Sequence, residues 1–225
     1  MSDDFFPYIS CNQEELALCF KNHYYRKDCF QKGNEVKVPS KDSIGYIMKG
    51  QLKVYMINDL GDERLMWFLE EKNILSSFLT DIFAKRVVAQ TDCEIYYMNI
   101  VYYNDYILQS PKHLQDYTNT IFSRYGLLVQ QLINAESENA KSKVYKFIYQ
   151  LAYRYGKHLS NGEVKIENFP SRNDISSITG VHRSNVTRYI TELEKIGIAK
   201  KNKLQLSITD LDSLNDIITS LDDDR

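Results

Sequence analysis

Arginine and lysine side chains are concentrated in one stretch of the sequence, residues 171–203. This stretch carries seven lysines and arginines against three acidic residues, a net charge of +4, whereas the whole chain carries −2. An arginine guanidinium matches the two acceptors on the edge of guanine, and its charge also suits phosphate. Because attraction to phosphate depends on local charge, the segment predicts a nucleic-acid contact surface.

The same stretch has the pattern of two short helices joined by a tight turn. Ser171 suits the N-cap of the first helix, and Gly180 tolerates the positive φ that the turn requires. The second helix, predicted over Arg183–Lys195, has apolar residues at helical spacing. Residues 199–204 predict a turn between two short strands, which would form a basic wing. This layout is typical of a winged helix-turn-helix, whose second helix enters the DNA major groove.

The exposed faces of this motif supply the candidate DNA contacts. The second helix would turn its apolar side inward, leaving a polar side that can meet the edges of bases. Cations elsewhere in the motif are expected at phosphates, which position a protein on the duplex. The candidates for base contact are Arg183, Ser184, Thr187 and Arg188, and the cations expected at phosphates are Arg172, Lys200, Lys201 and Lys203.

Two other classes of function, an interaction module and an enzyme, compete with DNA binding. Two amphipathic helices at an angle also occur in helical domains of many kinds. The motif could therefore belong to a ligand-sensing or protein-interaction module that does not read DNA. An enzyme is disfavoured, because the sequence has no glycine-rich phosphate loop, no HExxH motif and no nucleophile elbow. The four cysteines form no CxxC pair, which predicts free thiols and no metal site, and no resident cofactor is expected.

Residues 30–98 differ from residues 171–203 in amino-acid composition and pattern. Short runs rich in β-branched and aromatic residues alternate with glycine or polar turns, and Asp59–Asp62 predicts a hairpin turn. Closely spaced short strands favour a small antiparallel barrel or sandwich. Together with the helices, this predicts an α+β protein. The predicted strands are Glu35–Val38, Ser43–Met48, Gln51–Asn58, Arg64–Leu69, Arg86–Ala89 and Glu94–Met98.

Ser110 and Pro111 predict the start of a long helix, since serine suits the N-cap and proline the first helical position. Apolar residues then follow at spacings of four and three, a heptad seam that favours a coiled coil between subunits. A helix packed on its own domain would show a similar stripe. We expect a sensor domain over residues 1–109, a dimerisation helix over 110–138 and a DNA-binding domain over 139–225. The predicted dimer-interface residues are Leu114, Thr118, Ile121, Tyr125, Leu128 and Leu132.

Bulk properties bound the class of protein. At 225 residues and 43% apolar composition, the chain can form one or two globular domains. It has no run of about eighteen apolar residues of the kind that spans a membrane. The acidic N-terminus lacks the features of a signal peptide, so a cytoplasmic protein without a membrane partner is expected.

The order of these parts resembles the Crp/Fnr family of bacterial transcription regulators. GYIMKGQLKVYMINDLGDE (Gly45–Glu63) looks like the family's double-stranded β-roll, and DISSITGVHRSNVTRYITELEKIGI (Asp174–Ile198) looks like its DNA-reading element. The resemblance implies a jelly-roll-like N-terminal sensor, a long dimerisation helix and a C-terminal winged helix-turn-helix. It also implies a homodimer that binds a roughly palindromic duplex and regulates transcription, with RNA polymerase as a further partner. The positions that match the family's base contacts are Arg183, Ser184 and Arg188, and those that match phosphate contacts are Ser171, His182 and Asn185.

The effector site implied by this resemblance departs from the members that bind cyclic nucleotides. Those members carry an Arg-Ser pair for the phosphate where this chain has Phe83 and Ala84, and a Gly-Glu pair near Ser76 and Ser77. A phosphate at Phe83 would lack charge-assisted hydrogen bonds, so a different small effector is expected. The richness of the roll in aromatic residues looks similar to that of the family branch that senses halogenated phenols. The same residues could instead be simple core, with dimerisation alone giving DNA binding. The candidate lining residues are Tyr46, Met48, Tyr55, Trp67, Phe78 and Phe83.

Overall fold

The computed structural model describes residues 8–9, 14–77, 84–137, 139–202 and 204–223. The predictions made for Phe78, Phe83 and Lys203 lie outside the described residues, as does the side chain of Leu132. The described chain forms two compact units, one up to Gly126 and the other from Leu127 onward.

The N-terminal unit is built on two four-stranded sheets, which form the predicted β-roll. One sheet has the strand order β1-β5-β4-β7 and the other β2-β8-β3-β6. All pairs are antiparallel except β1 with β5. The elements are β1 (Tyr8–Ile9), α1 (Glu14–His23), β2 (Arg26–Phe30), β3 (Ser43–Lys49), β4 (Leu52–Ile57), β5 (Glu63–Leu69), β6 (Ile74–Leu75), β7 (Ala84–Ala89), β8 (Cys93–Asn99) and α2 (Ile100–Leu108).

The hairpin between β4 and β5 is confirmed, and its turn is closed by Asn58. The Asn58 side-chain oxygen accepts hydrogen bonds from the main-chain N–H of Leu60 (3.0 Å) and of Asp62 (2.9 Å). Gly61 has φ +84°, a left-handed conformation that glycine adopts without a steric cost. An asparagine side chain that satisfies the turn's own N–H groups explains why this polar segment reverses the chain here.

Two helices cover one face of the β3–β8 sheet. Phe20 of α1 stacks on Tyr46 of β3 with 5.1 Å between ring centroids, and Tyr103 of α2 lies 6.4 Å from Phe20. The cluster also contains Leu16 and Met98, and the side chains of all five residues are buried. The sequence predicted neither α2 nor β2. Strand β2 pairs with β8, about seventy residues later in the chain, and local patterns do not report such a contact.

The long helix is confirmed as α3 (Pro111–Ser137), and the boundary between the two compact units falls within it. The Ser110 hydroxyl accepts from the Lys112 N–H at 3.2 Å, as expected for an N-cap. Among the described residues, none of the helices is long and apolar enough to cross a membrane.

The C-terminal unit contains α4 through α7 and an antiparallel sheet with the order β11-β12-β10-β9. Its core combines the apolar sides of the helices with alternating residues of β10 and β12, among them Val164, Ile166, Leu206 and Ile208. The elements are α4 (Ala140–Tyr155), β9 (Lys157–His158), β10 (Val164–Ile166), α5 (Arg172–Thr179), α6 (Arg183–Lys195), β11 (Ala199–Asn202), β12 (Gln205–Ile208) and α7 (Leu211–Asp223).

Candidate nucleic-acid interface

The first helix of the motif, α5, begins with a reciprocal cap between Ser171 and Asp174. The Ser171 hydroxyl accepts from the Asp174 N–H at 3.1 Å, and the Asp174 carboxylate accepts from the Ser171 N–H at 3.0 Å. The Ser171 hydroxyl also donates to that carboxylate at 2.8 Å. Both donor groups of Ser171 are therefore engaged within the protein, and a phosphate contact would have to replace one of these bonds. The spacing Ser-x-x-Asp in the sequence is typical of such a capping box.

The turn between α5 and α6 takes the predicted form. Gly180 has φ +69° and ψ 9°, the left-handed conformation that ends a helix and that glycine favours. Val181 follows it and is buried, which fixes the turn on the core. Ile175 and Ile178 of α5 are buried as well. The angle between the two helices is therefore held by packing on both sides of the turn.

The recognition helix α6 has two clearly different sides. Val186, Ile190 and Leu193 are fully buried and repeat at the spacing of an amphipathic helix. The polar side is open: Arg183, Ser184 and Arg188 are exposed, while Asn185 and Thr187 are half-buried. The structure thus places the four predicted base-contact residues on one accessible side of one helix.

His182 caps α6 and contacts a candidate base-reading residue. Its Nδ1 atom lies 2.8 Å from the Ser184 hydroxyl and accepts from the Ser184 N–H at 3.4 Å. The Thr187 hydroxyl donates to the Arg183 carbonyl at 3.0 Å. Two of the short polar side chains on this helix are therefore oriented by contacts within its first two turns.

Arg188 lies within a set of contacts that the sequence pattern does not predict. Its guanidinium stands 5.0 Å from the centre of the Tyr189 ring and donates to the Tyr189 hydroxyl at 3.2 Å. Its Nε atom is 3.9 Å from the carboxylate of Glu192, which pairs with the Lys141 ammonium of α4 at 2.7 Å. That contact with Lys141, together with Arg188 and Lys195, lowers the pKa of Glu192, so the carboxylate stays ionised. The spacing of four between Arg188 and Glu192 was a signal for their pairing.

The wing differs from its prediction, because residues 199–202, which were expected within the turn, form the strand β11. Lys200 and Lys201 lie within β11, paired with Ser207 and Leu206 of β12, rather than at the tip. The Lys200 ammonium is exposed and donates to Glu163 at 3.3 Å. The run of lysines predicts a turn, but strand pairing over 199–202 is decided by the register with β12, which a single segment does not reveal.

Lys201 has a more enclosed environment than a phosphate-contacting lysine on a mobile tip would have. Its ammonium stands 5.6 Å from the centre of the Phe169 ring, and its main-chain N–H donates to Glu194 at 3.2 Å. Burial, followed by the nearby charge of Arg172, lowers the pKa of Lys201. The charge of Arg172 at the start of α5 is thus close enough to Lys201 of the wing to affect it, while Glu194 partly opposes this effect.

The helix-turn-helix region and the overall fold both have counterparts among known proteins. The profile of the Crp-like helix-turn-helix domain matches residues 142–217, which include α5, α6 and the wing. Solved structures with the same fold include CprK in complex with OCPA (TM-score 0.73, 18% identity, 94% of this chain and 96% of that chain). They also include a CooA mutant from Carboxydothermus hydrogenoformans (0.73, 19%, 93% and 96%) and a CRP/FNR-family transcriptional regulator from Thermus thermophilus (0.64, 14%, 87% and 100%). No curated protein sequence matches the chain.

Residues 142–217 of this chain form a Crp-like helix-turn-helix domain. The likeness to solved structures shows the same fold over nearly the whole chain. The resemblance seen in Gly45–Glu63 and Asp174–Ile198 is confirmed, as is the α+β fold class with an N-terminal roll and a C-terminal helix-turn-helix.

The first half of α3 has one side that packs on its own unit. The Tyr117 ring lies 6.2 Å from that of Tyr103, edge to face, and the Thr120 side chain is buried. The Arg124 guanidinium donates to the Ile74 carbonyl at 2.8 Å. These positions are spaced by three and four and define the intramolecular face of the helix.

A second, apolar side of α3 faces away from that unit. It contains the predicted interface residues Leu114 and Tyr125, which are exposed, and Thr118 and Ile121, which are half-buried. Phe122 next to this stripe is 67% exposed and Tyr125 is 65% exposed, large values for aromatic side chains. Leu128 is half-buried. One side of α3 thus packs on its own unit, as one of the two alternatives expects, while a coiled coil between subunits stays a prediction for the neighbouring, largely exposed side.

The four described candidates for the effector site have different surroundings in the N-terminal unit. Tyr46 and Met48 pack in the cluster under α1 and α2, so they take the alternative role of core residues. Tyr55 lies under the Arg86 guanidinium, 4.6 Å from its ring centre, and Arg86 pairs with Glu63. Trp67 is buried on β5, directly opposite Val54. Neighbouring residues of a strand face opposite sides of the sheet. Tyr55 therefore faces the side opposite to that of Val54, the partner of Trp67.

Proposed function

We propose that this protein is a homodimeric, sequence-specific transcription regulator that reads duplex DNA with α6. The observation that carries the proposal is the open polar side of α6 inside a Crp-like helix-turn-helix domain. Arg183, Ser184, Thr187 and Arg188 are the proposed base contacts. Serine at position 184 offers a hydroxyl rather than a carboxylate, so its preferred base differs from the cytosine amine that a carboxylate accepts from.

The phosphate contacts are proposed around this helix. Lys200 is exposed and its bond to Glu163 is a surface ion pair, which exchanges readily for a phosphate. Arg172 and Lys201 form a positive region beside it, and His182 and Asn185 lie at the start of α6. Such contacts fix register on the duplex without reading its sequence. Ser171 serves mainly as the cap of α5.

Dimerisation is proposed through the apolar stripe of α3 that includes Leu114, Ile121 and Tyr125. A sustained heptad pattern on an exposed helix side suits pairing with a second copy. A symmetric pair would set the two recognition helices about one DNA turn apart, or about 34 Å, and would prefer a roughly palindromic site. Contact with RNA polymerase is proposed as the route from DNA binding to regulation, in the cytoplasm and without enzymatic chemistry.

A small effector that is not a cyclic nucleotide is proposed to bind in the N-terminal roll. Phe83 and Ala84 stand where an Arg-Ser pair would hold a cyclic phosphate. CprK, which shares the fold, has been solved with OCPA bound, which supports an aromatic class of ligand for this proposal. An effector can change DNA affinity only to the extent that it binds the two states of the dimer unequally.

Selection from a random duplex pool tests the proposed function. Purified protein, without added effector and at near-physiological salt, should enrich a two-fold symmetric sequence. The Arg183→Ala and Arg188→Ala variants should each relax preference at a different base pair, at a cost of about 1–3 kcal/mol on the selected duplex. A repeat with cell extract supplies an effector if one is needed. Weak, salt-insensitive binding without enrichment in either condition would favour the protein-interaction alternative.

A further inference from the structure

We propose that Glu192 is a specificity-determining residue that positions the Arg188 guanidinium for base reading, and that Lys141 holds the Glu192 carboxylate for this task. The inference rests on the proposed function of Arg188. It concerns a carboxylate that touches no base itself and acts through its neighbour. The sequence pattern of the DNA-reading element does not reveal this role, because Lys141 lies about fifty residues earlier in the chain.

The contacts around Arg188 hold its guanidinium from two directions. The Tyr189 ring lies under it at 5.0 Å, and the Tyr189 hydroxyl accepts one of its N–H groups at 3.2 Å. Glu192, one helical turn further on, stands 3.9 Å from Nε. That separation is longer than a hydrogen bond, so Glu192 attracts the guanidinium without closing a bidentate pair. Apart from the N–H group bonded to Tyr189, the guanidinium donors therefore remain available to guanine while the side chain has a preferred direction.

Lys141 prevents the carboxylate from competing with DNA. Its ammonium contacts Glu192 at 2.7 Å, which is shorter than the contact between Glu192 and Arg188. An unpaired carboxylate near the major groove would repel phosphate and would draw Arg188 into a tighter pair. With Lys141 in place, the three charges sum to a single positive charge that faces the duplex.

The charged residues Lys141 and Glu192 lie beside buried aromatic side chains. Lys141 stands 5.6 Å from the centre of the Tyr145 ring, which packs edge to face on Tyr189 at 6.4 Å. Both tyrosines are buried. A pair as exposed as Lys141 and Glu192, whose side chains are 32% and 36% exposed, contributes little to stability. Its expected effect is therefore on the direction of Arg188 and not on the folding of the domain.

The test compares base preference in variants of the whole protein on the duplex obtained by selection. Arg188→Ala first identifies the base pair whose preference depends on Arg188. Glu192→Gln keeps the shape of the side chain and removes its charge, and should reduce the preference at that base pair by roughly threefold to tenfold. Preference at the base pair read by Arg183 should stay unchanged, and binding to unrelated duplex should stay equal or strengthen. Lys141→Met should reduce preference at the same base pair.

Lys146→Met is the matched control, because Lys146 also lies on α4 and pairs with Asp222 of α7 at 2.9 Å, away from α6. It should leave every base preference as in the wild type. The inference is overturned if Glu192→Gln keeps the wild-type preference while Arg188→Ala loses it, or if Glu192→Gln weakens all duplexes equally. If Arg188→Ala itself alters no preference, the assigned reading face fails as well, and this distinguishes the two failures.

Discussion

The Tyr145 hydroxyl of α4 donates a hydrogen bond to the main-chain carbonyl of Tyr189 in the recognition helix, with 3.2 Å between the two oxygen atoms. Tyr145 is almost fully buried, and this burial, with a smaller contribution from Glu192, raises the pKa of its phenol well above the usual range. The hydroxyl therefore stays protonated and keeps donating. The bond ties α6 to the helix that follows α3 in the chain.

Replacing Tyr145 with Phe should lower the free energy of unfolding by about 1–3 kcal/mol, because it leaves a buried carbonyl with one partner fewer. Urea denaturation measures this change. Tyr153→Phe on the same helix is the control, since Tyr153 is 66% exposed and its hydroxyl can be solvated. Equal stabilities for the two variants would show that the bond to Tyr189 is dispensable.

Gly50 has no room for a side chain, whereas Gly61 does. Both have positive φ, +92° and +84°. A Cβ on Gly50 would lie 2.7 Å from the Cys93 sulfur and even closer to the Asp92 carbonyl, while nothing lies within 4 Å of one on Gly61. Gly61→Ala should cost about 1–2 kcal/mol from backbone strain alone. Gly50→Ala should cost about 3–5 kcal/mol, and comparable melting curves for the two would contradict the clash.

Lys85 should make the stability of the N-terminal unit depend on pH. Burial, with the nearby Arg124 charge, lowers the pKa of Lys85 to about 8. The unfolded chain keeps the ordinary, higher lysine pKa, so between about pH 8 and 10 it binds more protons than the folded chain. Stability contributed through Lys85 should therefore rise with pH across this window.

The measurement is urea denaturation of the wild type and of Lys85→Met at pH 7, 8, 9 and 10. The difference between the two should shift in favour of the wild type as the pH rises above 8. Lys49→Met, on an exposed strand end, controls for the loss of a lysine as such. A pH-independent difference for Lys85→Met would mean that this lysine titrates alike in the folded and unfolded chains.

Tyr125→Asp should convert the proposed dimer into monomers, because a charge in the middle of the exposed α3 stripe would have to be desolvated on pairing. Light scattering over a range of protein concentrations gives the mass. Ser123→Asp adds the same charge to the same helix, but on an exposed position outside the stripe, and should remain dimeric. A dimeric Tyr125→Asp protein would place the interface elsewhere.

Much of the C-terminal domain could be predicted because its signals are local. Ser171 and Gly180 act on N–H and carbonyl groups within a few residues, so both ends of α5 are encoded where they occur. Ser110 and Pro111 encode the start of α3 in the N-terminal unit in the same way. The apolar period of α6 likewise defines its buried side. The polar side, with Arg183, Ser184, Thr187 and Arg188, follows from that period without knowledge of the rest of the fold.

The amino-acid sequence by itself therefore determined the order of the two domains, the ends of the main helices and the polar side of α6, since each depends on neighbours along the chain. Only the tertiary structure decided that Tyr46 packs under α1, that Lys200 and Lys201 lie in a strand, and that Lys141 meets Glu192. These depend on which distant segments pair and in what register. Such choices are set by packing and burial across the whole unit, which no local pattern contains.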